Sequence, residues 1–444
     1  MKKKHILILG AGISGLSAAW YLSKVAPEYQ VTILEKQHRA GGWIESIHDQ
    51  GFLFEKGPRI FKASKSQALL GLIEELGLAK EVITSSASDR YIMSHGQMHK
   101  LPQGICSFLT SSYTRGMLFN LATEVLKKPS LIADESIEAF ITRRFGSEVL
   151  DKLFDPLVQG IYAAAPSELS IQACFGRLKQ LEQQHGSILL GFLRHMLDKP
   201  CALSSIVRPK ALFSFRGGVN VLVNALVSQI PYPIEYGQQV QDVSMSKKGY
   251  VVNTLDRQWE ADTIFCALPP TDAAAILQES APEVARVLYS IPSSPITSIL
   301  VGYHDDVLSY NGLGYLVSSK EGSPILGTVF DSKAFPGDRQ DLLQTKMTVM
   351  VRGIGYSESA IHDLVDQAIN KPLHIAHSPD FCQVITCKEA IPKYLVGHQN
   401  TINIAIDQLS QQLPNFLLLG NYIQGVSVSD CIRRAQETVL KYLN

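Results

Sequence analysis

Glycines at positions 10, 12 and 15 interrupt an apolar run near the start of the chain, in "ILILGAGISGLSAAWYL". The spacing G-x-G-x-x-G is typical of a turn that binds a dinucleotide, because backbone without side chains can approach a pyrophosphate closely. The flanking residues predict a buried parallel strand from His5 to Leu9 and a helix from Ser14 to Val25. The unpaired N–H groups at the start of such a helix carry positive partial charge, which favours a phosphate.

A second predicted strand, Gln30 to Leu34, is followed by an acidic residue, Glu35. A carboxylate at this place accepts hydrogen bonds from a ribose diol. A secretory signal peptide is the alternative for the MKKKH start, but no A-x-A-like cleavage site follows, and Pro27 and Glu28 come too early for one. The segment therefore predicts a dinucleotide site formed by Gly10, Ala11, Gly12, Ile13, Ser14, Gly15 and Glu35.

The composition is that of an ordinary globular protein. Its 444 residues predict two or three domains. Lys plus Arg and Asp plus Glu number 41 each, so no overall field favours nucleic acid as a partner. The seven cysteines are scattered without a C-x-x-C pair, so we expect neither a disulfide framework nor a metal site. No apolar run reaches the roughly 18 residues that a membrane-spanning helix needs.

Glycines beyond Glu35 help to distinguish NAD from FAD. A glycine pair at 41 and 42 follows the second strand in "KQHRAGGWIES", and "GFLFEKGPRI" contains another glycine, Gly57. Such a pair followed by extended chain suits an elongated cofactor, because backbone must also lie beside its ribityl and ring portions. Two ordinary turns are the alternative. Near the end of the chain, "LGNYIQGVSVSDCI" predicts a new helix whose N–H groups suit the negative charge of a reduced flavin.

The sequence resembles FAD-dependent protoporphyrinogen oxidases of the haem pathway from Ile6 to Lys441. The opening glycine motif is common to all amine-oxidase-like flavoproteins. More selective are the segments "GGWI", "PLVQGIYA", "QQHGSILLG" and "FDSKAFP". The resemblance implies an α/β fold with a discontinuous Rossmann-like FAD domain of the p-hydroxybenzoate-hydroxylase type, a mixed-sheet substrate-binding domain and a helical lobe.

These regions follow changes in the pattern of apolar residues, since residues 101 to 205 have helical spacing and strands return on either side. We assign the FAD domain to residues 1–83, 206–268 and 395–444, the substrate-binding domain to 84–100 and 269–394, and the helical lobe to 101–205.

The resemblance also implies which residues contact FAD. Besides the glycine turn and Glu35, they are Trp43, Gly57, Pro58, Arg59, Ile60, Val240, Asn421, Val426, Ser427 and Val428. Plain core packing is the alternative for Trp43, and a buried strand position is the alternative for Val240.

The substrate that the resemblance implies is a porphyrinogen, a flexible reduced macrocycle that carries propionates. Arg90 would bind a propionate, because a carboxylate entering a cleft needs a fixed guanidinium. An apolar slot would hold the rings, formed by Leu313, Leu316, Val329 and Met350. A solvated surface arginine and ordinary core residues are the alternatives for these positions.

Two positions depart from the family pattern, and both concern substrate recognition. Leu313 stands where animal members have an aromatic ring, and Gln159 stands where some members have a basic residue. The choice between protoporphyrinogen IX and coproporphyrinogen III therefore stays open.

The implied reaction is oxidation of protoporphyrinogen IX to protoporphyrin IX by three hydride transfers to FAD, with O2 or another electron acceptor. Remoter alternatives are an amine oxidase or carotenoid desaturase of the same fold, and a non-catalytic FAD-binding partner protein. The sequence has no Ser–His–Asp order and no paired carboxylates that demand a role, so we name no catalytic residue.

The helical lobe raises the question of membrane contact. Its segment "GICSFLTSSYTRGMLFNLATEVLKK" clusters apolar residues ahead of Lys127 and Lys128, as in helices that lie in a membrane interface. An ordinary amphipathic lobe helix fits the pattern equally well. We expect a cytoplasmic protein and leave open both peripheral contact with the inner face of the cell membrane and a homodimer.

Overall fold

The structure is a computed structural model that describes residues 4–197, 206–336 and 344–443. The strands are β1 (His5–Leu9), β2 (Gln30–Glu35), β3 (Ser46–Asp49), β4 (Phe52–Glu55), β5 (Phe61–Lys62), β6 (Val82–Thr84), β7 (Tyr91–Ser94), β8 (Gln97–Lys100), β9 (Leu212–Phe215), β10 (Ile234–Tyr236), β11 (Val240–Ser246), β12 (Gly249–Thr254), β13 (Gln258–Ala261), β14 (Thr263–Cys266), β15 (Ser293–Tyr303), β16 (Gly314–Val317), β17 (Ile325–Val329), β18 (Thr345–Arg352), β19 (Phe381–Pro392) and β20 (Phe416–Leu418).

The helices are α1 (Ile13–Val25), α2 (Gln67–Glu75), α3 (Ile105–Thr110), α4 (Leu118–Thr123), α5 (Ile137–Phe145), α6 (Ser147–Val149), α7 (Asp155–Tyr162), α8 (Ile171–His185), α9 (Ile188–Leu197), α10 (Asn220–Gln229), α11 (Pro270–Leu277), α12 (Pro282–Tyr289), α13 (Asp331–Ala334), α14 (Glu358–Val365), α15 (Lys371–Leu373), α16 (His398–Gln412) and α17 (Val428–Leu443).

A five-stranded parallel sheet in the order β10-β2-β1-β14-β20 forms the first layer. The predicted strand His5–Leu9 is confirmed, and its last four side chains are fully buried because helices cover both faces of the sheet. Helices α1, α10 and α17 pack on one face of the sheet, and α11, α12 and α16 pack on the other. The last helix of the chain, α17, lies along α1 and completes the core that the first helix begins.

Helices α11 and α12 show where one boundary falls. Ala273 and Leu277 of α11 share a core with Leu7 and Leu9 of the parallel sheet. These helices fall within the range predicted for the substrate-binding domain, but their packing favours a boundary after α12. The other boundaries stay predictions, and the proposed end of the helical lobe at residue 205 lies outside the described residues.

A seven-stranded mixed sheet in the order β19-β15-β18-β17-β16-β7-β8 forms the second layer. Its strands are antiparallel except for the pair β16 and β7. Directly paired residues point to the same face of a sheet. One face, with Tyr315 and Val349, packs on α14. We call the opposite face, with Leu316, Val329 and Met350, the cleft face.

The helices α3 to α9 form a third unit with its own core. Buried charges lie within it: Arg144 and Glu124 are ion-paired and both fully buried, and Glu124 also accepts hydrogen bonds from Ser187 Oγ at 2.5 Å and from the Ile188 N–H at 3.0 Å. From this unit α7 extends over the cleft face, where a Cβ on Gly160 would lie 2.5 Å from Leu316 Cδ2. Across the three described ranges, no helix combines the length and apolarity needed to cross a membrane.

Candidate active site

The glycine turn after β1 is closed by backbone contacts. The Gly10 N–H donates to the Leu34 carbonyl at 2.7 Å, and Gly10 has a φ of +97°, which favours glycine. A Cβ on Gly15 would lie 2.0 Å from the Gly10 carbonyl oxygen, so only glycine allows α1 to approach the strand this closely. A Cβ on Gly12 would meet nothing nearer than Gly42 Cα at 3.9 Å, so the turn leaves open space at this position.

Glu35 lies at the carboxyl end of β2, beside this turn, and is 8% exposed. Its Oε2 accepts from the Ala11 N–H at 2.8 Å and its Oε1 from the Gln37 N–H at 2.9 Å. Each carboxylate oxygen keeps further acceptor capacity for a ligand hydroxyl. The Gly41 N–H donates to the Ala11 carbonyl at 2.8 Å, so the glycine pair after β2 also contacts the turn.

Two other predicted residues, Val240 and Asn421, follow the two outer strands of the parallel sheet, β10 and β20. The Gln238 N–H donates to the Glu35 carbonyl at 2.9 Å, which holds the chain leading to the half-buried Val240 beside Glu35. Asn421 follows β20, and its carbonyl accepts from the Tyr394 hydroxyl. The carboxyl ends of parallel strands meet at one edge of the sheet, where α/β folds bind their ligands.

The start of α17 lies against the start of α1. The Ser427 Oγ accepts from the Asp430 N–H at 3.1 Å and so caps α17. Val428 is buried in the core shared with α1, and the half-buried Val426 packs against the helical lobe. The Ser14 hydroxyl hydrogen-bonds to the Cys431 thiol, whose pKa burial raises to about 11.

The backbones of Trp43 and Gly57 lie against each other, and the Trp43 side chain is not part of a hydrophobic core. Trp43 is 51% exposed, so core packing does not explain it. A Cβ on Gly57 would lie 2.2 Å from the Trp43 carbonyl oxygen, so glycine is required where the two backbones meet. Pro58 and Ile60 are half-buried beside them.

Arg59 links the end of β4 to α13, beside the cleft face. Its Nη1 donates to Asp331 Oδ1 at 3.3 Å and its Nη2 to the Glu55 carbonyl at 3.0 Å. Asp331 Oδ2 in turn accepts from Thr348 Oγ1 at 2.7 Å. The Asp331 in "FDSKAFP" therefore holds a residue that the sequence analysis assigns to cofactor binding, and sequence reasoning missed this contact.

The Glu55 carboxyl lies beside Arg59 and has a perturbed acidity. Burial raises its pKa to about 7, against the opposing effects of hydrogen bonds from the Val219 N–H and Ser46 and of the Arg59 charge. The Val219 N–H lies 2.9 Å from Glu55 Oε1, and Ser46 Oγ lies 2.9 Å from Oε2. Glu55 thus joins the loop "SFRGGV" to β3.

The predicted substrate residues lie on the cleft face or at its border. Leu316 of β16 and Met350 of β18 both pair with Gly327 of β17, one from each side. Val329 lies two residues further along β17 and points to the same face. All three are half-buried, unlike the fully buried residues of the opposite face. This row can form one wall of an apolar slot.

Arg90 lies directly before β7 and Leu313 directly before β16. These are the strands at the Leu316 end of the row. Arg90 is exposed and precedes β7, two residues before Ile92, which pairs with Leu316. Since side chains alternate along a strand, Arg90 shares the cleft face. Leu313 is half-buried directly before β16, where its N–H donates to the Asp89 carbonyl at 2.9 Å.

Comparison with known proteins identifies the family to which the chain belongs. The family model for "Flavin containing amine oxidoreductase" matches residues 13–439. The chain belongs to this family. Protoporphyrinogen oxidase of Bos taurus is 32% identical over 99% of this chain and 98% of that protein. Coproporphyrinogen III oxidase of Bacillus subtilis is 26% identical over 98% of this chain and 97% of that protein.

Solved structures agree on the fold of this flavin amine oxidoreductase. A putative protoporphyrinogen oxidase from Exiguobacterium superposes with a TM-score of 0.84 at 23% identity, covering 100% of this chain and 99% of the other. A reduced UDP-galactopyranose mutase gives 0.76 at 14% identity, covering 100% and 94%. The predicted α/β fold with a Rossmann-like parallel sheet and a mixed substrate sheet is confirmed, as are the resemblance and FAD as the cofactor.

The residues present fit FAD. The turn has open space at Gly12, the Glu35 carboxylate is buried at the carboxyl edge of the sheet, and an exposed Trp43 follows the glycine pair that contacts the turn. The individual FAD and substrate contacts of the flavin oxidoreductase stay predictions.

Sequence reasoning missed a polar chain at the far end of the cleft face. Arg352 of β18 donates to the Gln159 side-chain oxygen, and Gln159 donates to Asp155 Oδ1 at 2.8 Å. The strand segment "TKMTVMVRG" holds the signal that could have found this chain. Side chains alternate between the two faces of a strand, so Arg352 lies on the same side of β18 as Met350.

Proposed function

We propose that this flavin oxidoreductase oxidises protoporphyrinogen IX to protoporphyrin IX. The observation that supports it is the cleft face, where a row of half-buried aliphatic side chains ends at an exposed arginine, Arg90. A flexible apolar macrocycle with carboxylates at one edge has the same distribution of polarity. The identity of 32% to the bovine protoporphyrinogen oxidase over nearly the whole of both chains supports the same substrate.

The reaction removes six hydrogen atoms from the macrocycle, as three hydrides and three protons. Bound FAD would supply the hydride acceptor. The proposed final acceptor is O2, and three molecules of it would take up the three hydrides and three protons to give three H2O2. The cofactor carries the redox chemistry, so the protein has to bind and orient the substrate and to exclude water from it.

The residues of the chain divide these tasks between the two layers. The N–H groups at the glycine turn would hold the pyrophosphate, and Glu35 would accept from the ribose hydroxyls. On the opposite side Leu316, Val329 and Met350 would exclude water from the rings, while Arg90 would fix one propionate. The link from Arg59 to Asp331 would hold the chain after β4 in place against the cleft face.

Anaerobic titration tests this function. FAD-loaded protein mixed with protoporphyrinogen IX should lose its flavin absorbance, and admitting air should restore it while protoporphyrin fluorescence and H2O2 appear. A flavin that stays oxidised with the porphyrinogen but bleaches with a primary amine would identify an amine oxidase instead.

A further inference from the structure

We propose that Tyr394 and His398 are positioning residues for the flavin end of FAD, because they hold the loop after β20. That loop contains Asn421 and leads to residues 426–428, which are predicted to contact the cofactor. The inference rests on FAD as the cofactor and on those predicted contacts. It does not depend on the substrate, and so goes beyond the proposed porphyrinogen oxidation.

The two residues belong to a short segment, residues 393–398, where the two layers of the fold and the helical lobe meet. The Lys393 N–H donates to the Pro292 carbonyl at 2.7 Å, directly before β15 of the mixed sheet. The Gly397 N–H donates to Asp134 Oδ2 at 2.7 Å in the helical lobe. The segment then continues into α16, which packs on the parallel sheet. Its backbone is therefore fixed from three sides and supports its side chains rigidly.

The side chains of Tyr394 and His398 reach two consecutive carbonyls of the loop after β20. The Tyr394 hydroxyl donates to the Asn421 carbonyl, and His398 Nε2 lies 2.8 Å from the Tyr422 carbonyl oxygen. A carbonyl only accepts, so the neutral His398 ring carries its proton on Nε2. The two rings stack with their centroids 4.4 Å apart and an interplanar angle of 16°. Each ring therefore keeps the other in the orientation that its hydrogen bond needs.

Burial keeps both donors in the protonation state that these bonds require. Tyr394 is 1% exposed and His398 is 8% exposed. Burial raises the pKa of the Tyr394 hydroxyl, which therefore stays protonated and donates. Burial lowers the pKa of His398, against smaller raising effects of the Tyr422 carbonyl and of Asp134, so the ring is neutral above pH 7. The loop after β20 is thus held by two buried, neutral donors.

The backbone that these donors hold leads to the predicted flavin contacts. Asn421 is half-buried at the carboxyl edge of the parallel sheet and remains accessible to a ligand. At the other end of the loop the Ser427 Oγ caps α17, whose first N–H groups suit the negative charge of a reduced flavin. Groups that bind a reacting cofactor have to stay within about 0.5 Å of their productive positions. Without both donors, the loop would lose that precision at its Asn421 end.

Tyr250 offers a matched control at the opposite end of β20. Its hydroxyl donates to the Pro414 carbonyl at 2.6 Å, and the residue is 2% exposed. Pro414 precedes β20, whereas Asn421 follows it. The bonds of Tyr250 and Tyr394 are of the same kind, but only that of Tyr394 lies at the carboxyl edge of the sheet, where the cofactor is predicted to bind. A purely structural role would make the two bonds equivalent.

Flavin measurements on FAD-loaded protein test the inference. Tyr394→Phe should raise the Kd of FAD about three- to tenfold, read from the fluorescence of flavin released on dilution, because a buried hydrogen bond is lost. It should also lower the midpoint potential of the flavin by up to about 30 mV, since the reduced flavin loses more binding than the oxidised one. For a two-electron couple, about 30 mV corresponds to a tenfold difference between the two losses. Tyr250→Phe should change neither value.

His398 provides an independent pair of variants. His398→Leu removes the donor to the Tyr422 carbonyl and should shift the Kd of FAD and the midpoint potential in the same directions. His398→Gln keeps an amide donor at this place and should restore most of both values. This pair decides the inference if Tyr394→Phe fails to fold.

Two results would overturn the inference. One is that Tyr394→Phe changes the Kd of FAD and the midpoint potential no more than Tyr250→Phe does. The other is that His398→Leu and His398→Gln have equal effects. None of these measurements uses a porphyrinogen, so they decide the role of the pair even if the protein oxidises none and the proposed function fails.

Discussion

Two arginines at the candidate site differ in what already holds them. Arg59 is 11% exposed and is engaged by Asp331 and the Glu55 carbonyl. Arg90 is exposed, and in the part of the chain that the structure describes it forms no ion pair. The Arg59 guanidinium is bound to other residues of the protein and so stabilises the fold. The Arg90 guanidinium has no ion-pair partner among the described residues and is free to bind a ligand carboxylate. The roles proposed for the two arginines should therefore separate in kinetics.

Arg90→Ala should raise KM for the porphyrinogen about ten- to a hundredfold and lower kcat less, because the lost charge-assisted contact lies away from the reacting carbon. Arg59→Ala should lower FAD occupancy or kcat, and also stability, since it leaves Asp331 partly buried without its cation. The measurements are steady-state kinetics and flavin absorbance, with exposed Arg257→Ala as the control.

The opposite pattern would reverse the assignment. If Arg90→Ala leaves KM unchanged while Arg59→Ala raises it with FAD retained, the two arginines exchange their proposed roles.

Glu55 predicts a particular dependence of stability on pH. Its folded pKa is raised to about 7, above the value of about 4.3 in an unfolded chain. The folded state therefore binds the proton more tightly, so the contribution of Glu55 is full below about pH 4 and is lost as the pH rises towards 7. The loss is at most about 1.4 kcal/mol per pH unit in that window.

Glu55→Gln, which keeps an acceptor for Val219 and Ser46, should remove this dependence. The unfolding temperature of the variant minus that of the wild type should rise between pH 5 and pH 8. Parallel curves for the two proteins would show that the Glu55 carboxyl is not perturbed as described.

At the scale of elements, the sequence predicts what short-range patterns determine. The strand His5–Leu9 agrees with β1, and the predicted helix from Ser14 starts one residue after α1 does, because a continuous apolar run and a glycine turn determine both. The faces of β18 are different. Met350 and Val349 are both apolar, yet the first is half-buried and the second fully buried, and the packing of the mixed sheet against other elements decides which is which.

The role of Gln159 shows the same limit. Sequence comparison marks it as a departure from a basic residue, but only the crossing of α7 over β18 brings Arg352 to it. Contacts between elements distant in sequence depend on packing angles that no local pattern encodes.

The buried charges of the helical lobe carry an element-scale prediction. Glu124→Gln leaves the fully buried Arg144 with Glu182, 3.6 Å from its Nη1, as its remaining carboxylate, which should cost at most about 3–5 kcal/mol and lower the unfolding temperature by several degrees. Replacing the pair together, as Glu124→Leu with Arg144→Met, should recover much of that loss.

Glu283→Gln is the matched control, because it breaks an exposed ion pair with Arg286 and should change stability by less than about 1 kcal/mol. Calorimetry on the four proteins checks the series. An equal effect of Glu124→Gln and Glu283→Gln would mean that the lobe does not depend on its buried charges.

At the scale of the molecule, the helical lobe presents apolar side chains to solvent. Phe119 is 76% exposed, Leu126 is 80% exposed and Leu131 is 102% exposed, next to Lys127 and Lys128. Apolar side chains beside cations are typical of a surface that rests on an anionic membrane. We expect this surface to be the membrane contact of the lobe.

Flotation with liposomes that contain anionic lipid should carry the wild type upward at low salt, and Leu126→Ser with Leu131→Ser should reduce the floated fraction severalfold. Leu255→Ser, which changes a 70% exposed leucine between β12 and β13, is the control and should float as the wild type does. A wild type that stays at the bottom of the gradient would remove the membrane claim.

The pairing of α1 with α17 has a consequence for synthesis on the ribosome. Translation makes α1 hundreds of residues before α17, yet Ile432, Ala435 and Val439 of α17 fill the core against which α1 packs. Throughout elongation the first helix therefore has an uncovered apolar side, which is the kind of surface that chaperones bind. The glycine turn is assembled against its final neighbours only after α17 has been made, so loading of the flavin belongs after the synthesis of α17 rather than before it.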